Sequence, residues 1–257
     1  MIPAGDGGEG PFRQDDFIYR PTRPWTASVH ALLAALQTHG FANAPSSAGY
    51  DATWEKVSFL PGVTGDLHEN ENMRSLQVLQ SAAHLLRRYH DCTAQFVGLL
   101  LLEDQKWQLP SRKPFEIICH GDFAPYNVVL NDGEVTDIID FETAHPGPRC
   151  WDLAYAVYRW APLSAGAAVK NLDGLNAQIL RTRIFLDAYG MPVEQRSALP
   201  DMIAERLNAL VSFMESEAAN GVERYRRNIE DGHDRVYLRD IAYVSEYREV
   251  IVAGLVA

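Results

Sequence analysis

The order of apolar and polar positions divides the chain into a strand-bearing start, a strand–turn–strand middle and a long helical remainder. PFRQDDFIYR, residues 11–20, flanks a polar tip with apolar residues and predicts a short hairpin turning at Gln14–Asp16. Thr26 is a candidate N-cap. In the following ASVHALLAALQTHG, Val29, Leu32, Leu33 and Leu36 recur at helical spacing until Gly40 provides a stop. WEKVSFL (54–60) reads as a strand, which Pro61-Gly62 breaks. From Glu69 to about Phe96 the pattern is helical, with Leu76, Leu79, Ala83, Leu86 and Tyr89 along one face. FEIIC (115–119) and NVVL (127–130) are strand-like, and Asn131-Asp132-Gly133 turns the second of them into VTDII (135–139). Helices are expected beyond, over 151–160, about 164–189, 194–219 and 234–254. No internal repeat or low-complexity tract interrupts the chain.

These elements predict an α+β protein with a small mixed lobe over residues 1–65 and a mainly helical lobe over 66–257. At 257 residues the chain is long enough to bury a substantial core. A formal net charge of −11 argues against a nucleic-acid partner, which needs clustered Lys and Arg, and suits a cationic one. Cys92, Cys119 and Cys150 are odd in number and widely spaced, which predicts neither a disulfide framework nor a zinc site and fits a reducing cytoplasm. The opening MIPAGDGGEG has no basic segment followed by an apolar run, and no stretch approaches the roughly 20 apolar residues that span a bilayer. The expected setting is the cytoplasm, without membrane association.

Candidate chemistry concentrates in ICHGDFAPYNVVLNDGEVTDIIDFE, residues 118–142. His120-Gly121-Asp122 is followed by Asn127, then by a tight hairpin, then by Ile139-Asp140-Phe141-Glu142. Transfer of a phosphoryl group needs a carboxylate at the acceptor hydroxyl and oxygen ligands that hold Mg²⁺ on the phosphates. The hairpin would fold Asp140 back beside Asn127 so that both face one ion, and Asp122 on the preceding loop would face the acceptor. Five fixed residues at this spacing arise by chance on the order of once in a thousand chains of this length. The plainer alternative is that Asp122 and Asn127 cap a turn and Asp140 ends a strand.

This stretch resembles the catalytic and metal-binding loops of the aminoglycoside phosphotransferase family, which shares the fold of the protein kinases. The resemblance extends to Trp151-Asp152-Leu153-Ala154, similar to that family's Asp-Leu-Ala helix start, and more weakly to Val57-Ser58-Phe59-Leu60-Pro61-Gly62, which looks like a hinge holding the adenine. It implies a protein-kinase-like bilobal fold with a short N-terminal lobe. It also implies a kinase that moves a phosphoryl group from ATP or GTP, with Mg²⁺, to a hydroxylated small molecule, an aminoglycoside or another amino-bearing metabolite among the candidates. Carried over residue by residue, Asp122 is the base, Asn127 and Asp140 hold the metal with Glu142 as an auxiliary, Ser58, Phe59 and Leu60 hold the nucleotide base, and His120 supports the catalytic loop. Asp152 would brace that loop or cap its own helix.

The small lobe departs from the kinase pattern. Gly5, Gly7, Gly8 and Gly10 lie at the terminus without the spacing of a phosphate-covering loop, and Lys56 directly precedes the hinge. Arg20, at the end of FIYR, is the best substitute for the phosphate-binding lysine, and residues 26–39 offer no Glu or Asp to pair with it. An active small-molecule kinase is therefore set against a pseudokinase that binds nucleotide or ligand without turnover.

Overall fold

The computed structural model of the chain describes residues 10–101, 105–166, 169, 172 and 174–257. Of the N-terminal glycines only Gly10 falls within them. The chain forms two compact units, Met1–Asp66 with Ser81–Asp152, and Leu67–Gln80 with Leu153–Ala257.

In the first unit the expected hairpin is β1 (Phe12–Gln14) and β2 (Phe17–Pro21), with Asp15 in the left-handed region at its tip. Helix α1 spans Thr26–Thr38 and buries Val29, Leu32, Leu33 and Leu36. Thr26 is not its cap. It is the first helical residue, and its hydroxyl accepts the Arg23 N–H at 3.0 Å. Strands β3 (Ser47–Tyr50) and β4 (Trp54–Ser58) complete an antiparallel sheet of order β1–β2–β4–β3. Ile18 pairs with Val57 and Arg20 with Glu55, and Glu55 and Val57 are the two buried positions of β4. Lys56 points to the opposite face, its ammonium 3.8 Å from the centre of the Phe17 ring.

The break after β4 is a junction with the second sheet. Gly62 has φ +147°, and a Cβ there would lie 2.3 Å from Val129 Cγ1, so only glycine fits. Val63 and Leu130 then exchange backbone hydrogen bonds of 3.0 and 2.8 Å, which lays the linker along the hairpin of β6 (Val128–Asn131) and β7 (Glu134–Ile138). Asp132 and Gly133, both at positive φ, make the two-residue turn that Asn-Asp-Gly predicts. Strand β5 (Ile117–Cys119) pairs with β8 (His145–Gly147), a strand absent from the sequence expectation because His-Pro-Gly has no strand propensity and is held by its partner. Helices α2 (Leu76–Thr93) and α3 (Arg149–Trp160) follow the expected pattern, except that Leu76 is 52% exposed and the turn before it, Glu71–Arg74, is a separate 3₁₀ helix.

The second unit is helical: α4 (Leu175–Tyr189), α5 (Leu199–Ala219), α6 (Glu223–Glu230), α7 (His233–Glu246) and α8 (Arg248–Val256). Helix α5 packs on α6 and α7, and α4 on α8. The helix expected over 234–254 divides at Tyr247, and α6 has one buried residue, Tyr225, too few to show an apolar stripe in sequence. Among the described residues no helix is long and apolar enough to cross a membrane.

Arg181 of α4 is buried and donates to three backbone carbonyls, Trp160 at 2.7 Å, Arg74 at 2.7 Å and Met73 at 3.3 Å. Arg181→Met keeps the apolar stem but strands those acceptors. It is expected to lower stability by about 3 kcal/mol, read as an earlier urea midpoint.

Candidate active site

The loop carrying Asp122 is fixed from beneath by Asp152 in the first turn of α3. Its side chain is fully buried, and one oxygen accepts the His120 N–H at 2.7 Å while the other accepts the Gly121 N–H at 2.9 Å. His90 Nε2, from α2, donates to the same carboxylate at 3.0 Å. Burial alone would raise the Asp152 carboxyl. The His90 hydrogen bond and charge, the His120 charge and the Gly121 N–H outweigh it and bring the carboxyl to about 2. Burial pushes His90 below its ordinary value, against the opposing pull of Asp152.

Above this anchor His120 joins two loops. Its ring is buried, with Nε2 3.0 Å from the Ile139 carbonyl oxygen and Nδ1 accepting the Asp122 N–H at 3.3 Å. The neighbouring Gly121, at φ +82°, lies so close to Thr143 that a Cβ would meet its carbonyl oxygen at 2.4 Å. Thr143 donates its hydroxyl to the His120 carbonyl at 3.0 Å. The segments 120–122 and 139–143 are thus stitched together by side chain and backbone.

Asp122 is held at both oxygens. Tyr126 donates its hydroxyl to Oδ1 at 2.7 Å, and Asn127 donates its amide to Oδ2 at 2.9 Å and to the Asp122 carbonyl at 3.0 Å. Tyr126 and Asn127 share the 3₁₀ turn Pro125–Asn127. With its amide nitrogen so engaged, Asn127 has its side-chain carbonyl as the atom able to face a cation. The Ile139 N–H donates to the Asn127 backbone carbonyl at 3.0 Å, which places the Asp140 segment alongside. Asp140 adopts the left-handed conformation, φ +62°, which short polar side chains tolerate, and its carboxylate is nearly half exposed. Glu142 follows in the turn Phe141–Thr143.

A cavity of about 420 Å³ opens beside Asp140. Ser58, Phe59 and Leu60 line it with Arg20, while Ile18, Leu33, Val57 and Val129 supply apolar walls. Asp122, His120, Asn127 and Glu142 are not among its lining residues. The Phe59 N–H already donates to the Asp16 carbonyl at 2.7 Å. Arg20 bridges two carboxylates: Nε lies 2.6 Å from Glu55, and Nη1 lies 3.0 Å from Asp140. The acidic partner missing from helix α1 is therefore supplied by strand β4. Glu55 shares the inward face of β4 with Val57, a placement that strand pairing reveals.

Asn127 and Asp140 offer oxygen donors of the kind Mg²⁺ prefers. Among the described residues no group of three or more His, Cys, Asp or Glu side chains is placed to hold a metal by itself. Such a pair suits an ion whose other ligands are phosphate and water.

A small antiparallel sheet with one helix, a paired hairpin and a helical remainder is the fold of the protein-kinase-like phosphotransferases. The amicoumacin kinase hAmiN, solved with AMP-PNP, Ca²⁺ and Ami, superposes with a TM-score of 0.61 at 14% identity over 84% of this chain and 81% of that one. Aminoglycoside phosphotransferase APH(3'')-Id of Streptomyces rimosus, solved with ADP and streptomycin, gives 0.52 at 16% identity over 79% and 93%. The trifolitoxin immunity protein of Rhizobium leguminosarum bv. trifolii is 30% identical over 210 residues, 78% of this chain and 77% of that protein. Residues 99–185 match the phosphotransferase enzyme family, and the chain belongs to that family.

The buried anchor sets an acid limit on stability. With a folded-state value near 2 against 3.8 for the ordinary group, Asp152 stabilises fully above about pH 4, and this contribution is lost as the pH falls through about 2. His90, lowered from 6.5, adds a loss of stability that grows as the pH falls below 6.5, because only the unfolded chain takes up the proton readily. Asp152→Asn is expected to cost about 3 kcal/mol at pH 7 and to flatten the acid limb between pH 4 and 2, measured by urea unfolding across pH.

Proposed function

We propose that this protein is a small-molecule kinase that moves the γ-phosphate of ATP or GTP to a hydroxyl of a small, amino-bearing acceptor. The observation that carries the reading is the fixing of Asp122 at both oxygens by Tyr126 and Asn127, with Asn127 bonded in turn to the segment that bears Asp140. A carboxylate so aligned can receive the acceptor's proton as the oxygen–phosphorus bond forms and the bond to the departing diphosphate breaks. Mg²⁺, when bound, would supply positive charge against the negative charge that develops in the transfer. Asn127 and Asp140 would hold it, with Glu142 as an auxiliary, while Arg20 meets the phosphates and Ser58–Leu60 flank the nucleotide base. His120 positions the loop rather than touching substrate. On this reading the boundary at residue 65 separates the sheet lobe that receives nucleotide from the helical lobe, 66–257.

The ligands of the related structures support both donor and acceptor class: AMP-PNP and Ca²⁺ in the amicoumacin kinase, ADP and streptomycin in the Streptomyces enzyme. The net charge of −11 favours a cationic acceptor over a nucleic acid. The pseudokinase alternative rested on a missing ion pair, and the Arg20–Glu55 contact supplies one. The relative named as an immunity protein favours a protective role, with the acceptor a toxic compound that phosphorylation disarms.

Thermal shift with ATP and GTP, with and without Mg²⁺, followed by nucleotide turnover against amino-sugars and amino alcohols, tests the reading. Asp122→Asn is expected to lower turnover by about 10²–10⁴-fold with nucleotide affinity nearly unchanged. Equal turnover would remove Asp122 from the role of base. Asp140→Ala is expected to abolish Mg²⁺-dependent stabilisation by nucleotide while the fold persists, because it removes a carboxylate from a half-exposed position. Persistence of that stabilisation would overturn the metal assignment.

A further inference from the structure

We infer that Glu55 and His30 are positioning residues for Arg20, a strand carboxylate and a helix imidazole that together aim its guanidinium at nucleotide phosphate. The inference rests on the nucleotide reading above and assigns the groups that reading leaves open.

Glu55 is buried, and a buried carboxylate needs compensation. Its compensation comes from two elements. Arg20 of β2 meets one oxygen at 2.6 Å, and His30 of α1 meets the other, with Nε2 at 3.3 Å. His30 is itself buried and steered through Nδ1, 2.7 Å from the Ser47 hydroxyl of β3. Burial would raise the Glu55 carboxyl, but the close approach of His30 and Arg20 leaves it below the ordinary range, so it stays ionised opposite Arg20.

A purely structural pair would bury both members. Here the base of the set is buried while its far end faces the cavity: Arg20 lines it and extends Nη1 to the exposed carboxylate of Asp140. Among the described residues Arg20 has these two carboxylate partners, one fixed behind it and one in front. Fixing Nε from behind leaves the forked end of the guanidinium directed into the cavity, where it can meet two phosphate oxygens at once. When Asp140 turns to a metal ion, phosphate can take its place on Arg20 without moving the Glu55 contact. Helix α1, which lacks any acid, thereby joins the nucleotide site through His30.

The probes are Mg²⁺ with ATP and Mg²⁺ with GTP, titrated calorimetrically into wild type, Glu55→Gln, His30→Leu and His30→Gln, with KM for nucleotide and for the best acceptor measured in parallel. Glu55→Gln is expected to weaken nucleotide binding by about 10- to 100-fold, as loss of a supporting partner behind a ligand-binding group does, with the acceptor KM unchanged. His30→Leu is expected to weaken it in the same sense, and His30→Gln, which keeps a donor toward Glu55, to restore much of the loss. The His30 pair decides the matter if Glu55→Gln does not fold. Nucleotide binding equal to wild type in Glu55→Gln and His30→Leu, or equal rises in both KM values, would overturn this inference alone. A wild type that binds neither Mg²⁺–nucleotide would overturn the parent reading with it.

Discussion

A carboxylate buried without water must be satisfied by donors or give up its charge, and Asp152 is satisfied by two backbone N–H groups of the loop it supports and by His90. The rest of the site inherits its geometry from that constraint. Because the donors are backbone groups, Asp152 fixes the course of the chain at His120 and Gly121 and not merely a side chain. His120 then has one ring orientation, which reaches the Ile139 carbonyl and so fixes the start of the Asp140 segment. Gly121 is the residue that lets this second segment approach, since any side chain would collide with the Thr143 carbonyl.

A different logic governs the small sheet. There a buried carboxylate faces a part-exposed guanidinium, and their placement follows from strand register: Arg20 is opposite Glu55 because Ile18 is opposite Val57. The junction at Gly62 and the Val63–Leu130 bonds tie this sheet to the β6–β7 hairpin, so Arg20 and Asp140, 120 positions apart in sequence, come within 3.0 Å. The linker therefore joins the hairpin by a single β-bridge, and the cavity wall formed by Ser58, Phe59 and Leu60 precedes that bridge.

What was legible in the sequence is what short-range chemistry dictates. Asn131-Asp132-Gly133 demanded a tight turn, and the spacing of His120, Asp122, Asn127 and Asp140 around that turn implied the juxtaposition of loops that the structure shows. Partners fixed by non-local pairing were not legible. Glu55 is one acid within the strand-like WEKVSFL, and its buried status depends on a helix and a strand elsewhere in the chain; helix α1, the expected source of a partner for Arg20, has no acid. Tyr126 and His90, a tyrosine and a histidine beside apolar residues, look like core in sequence. Strand β3 and helix α6 lack the periodicity that marks their neighbours, so packing places them, not propensity.

The hydrogen bonds at Asp122 fit the demands of the proposed reaction. Phosphoryl transfer through a loose transition state asks little of a base and much of alignment. Two donors from one rigid turn leave the carboxylate a single orientation, and that turn is bonded through Asn127 to the segment bearing Asp140. Rotation of Asp122 away from an acceptor would break bonds to both Tyr126 and Asn127. The same Asn127 whose amide holds the carboxylate has its carbonyl available to a cation, so the orientation of Asp122 and the position of a metal would be set by one side chain. Coupling of that kind turns binding of the metal–nucleotide into alignment at the acceptor, with no group moving far.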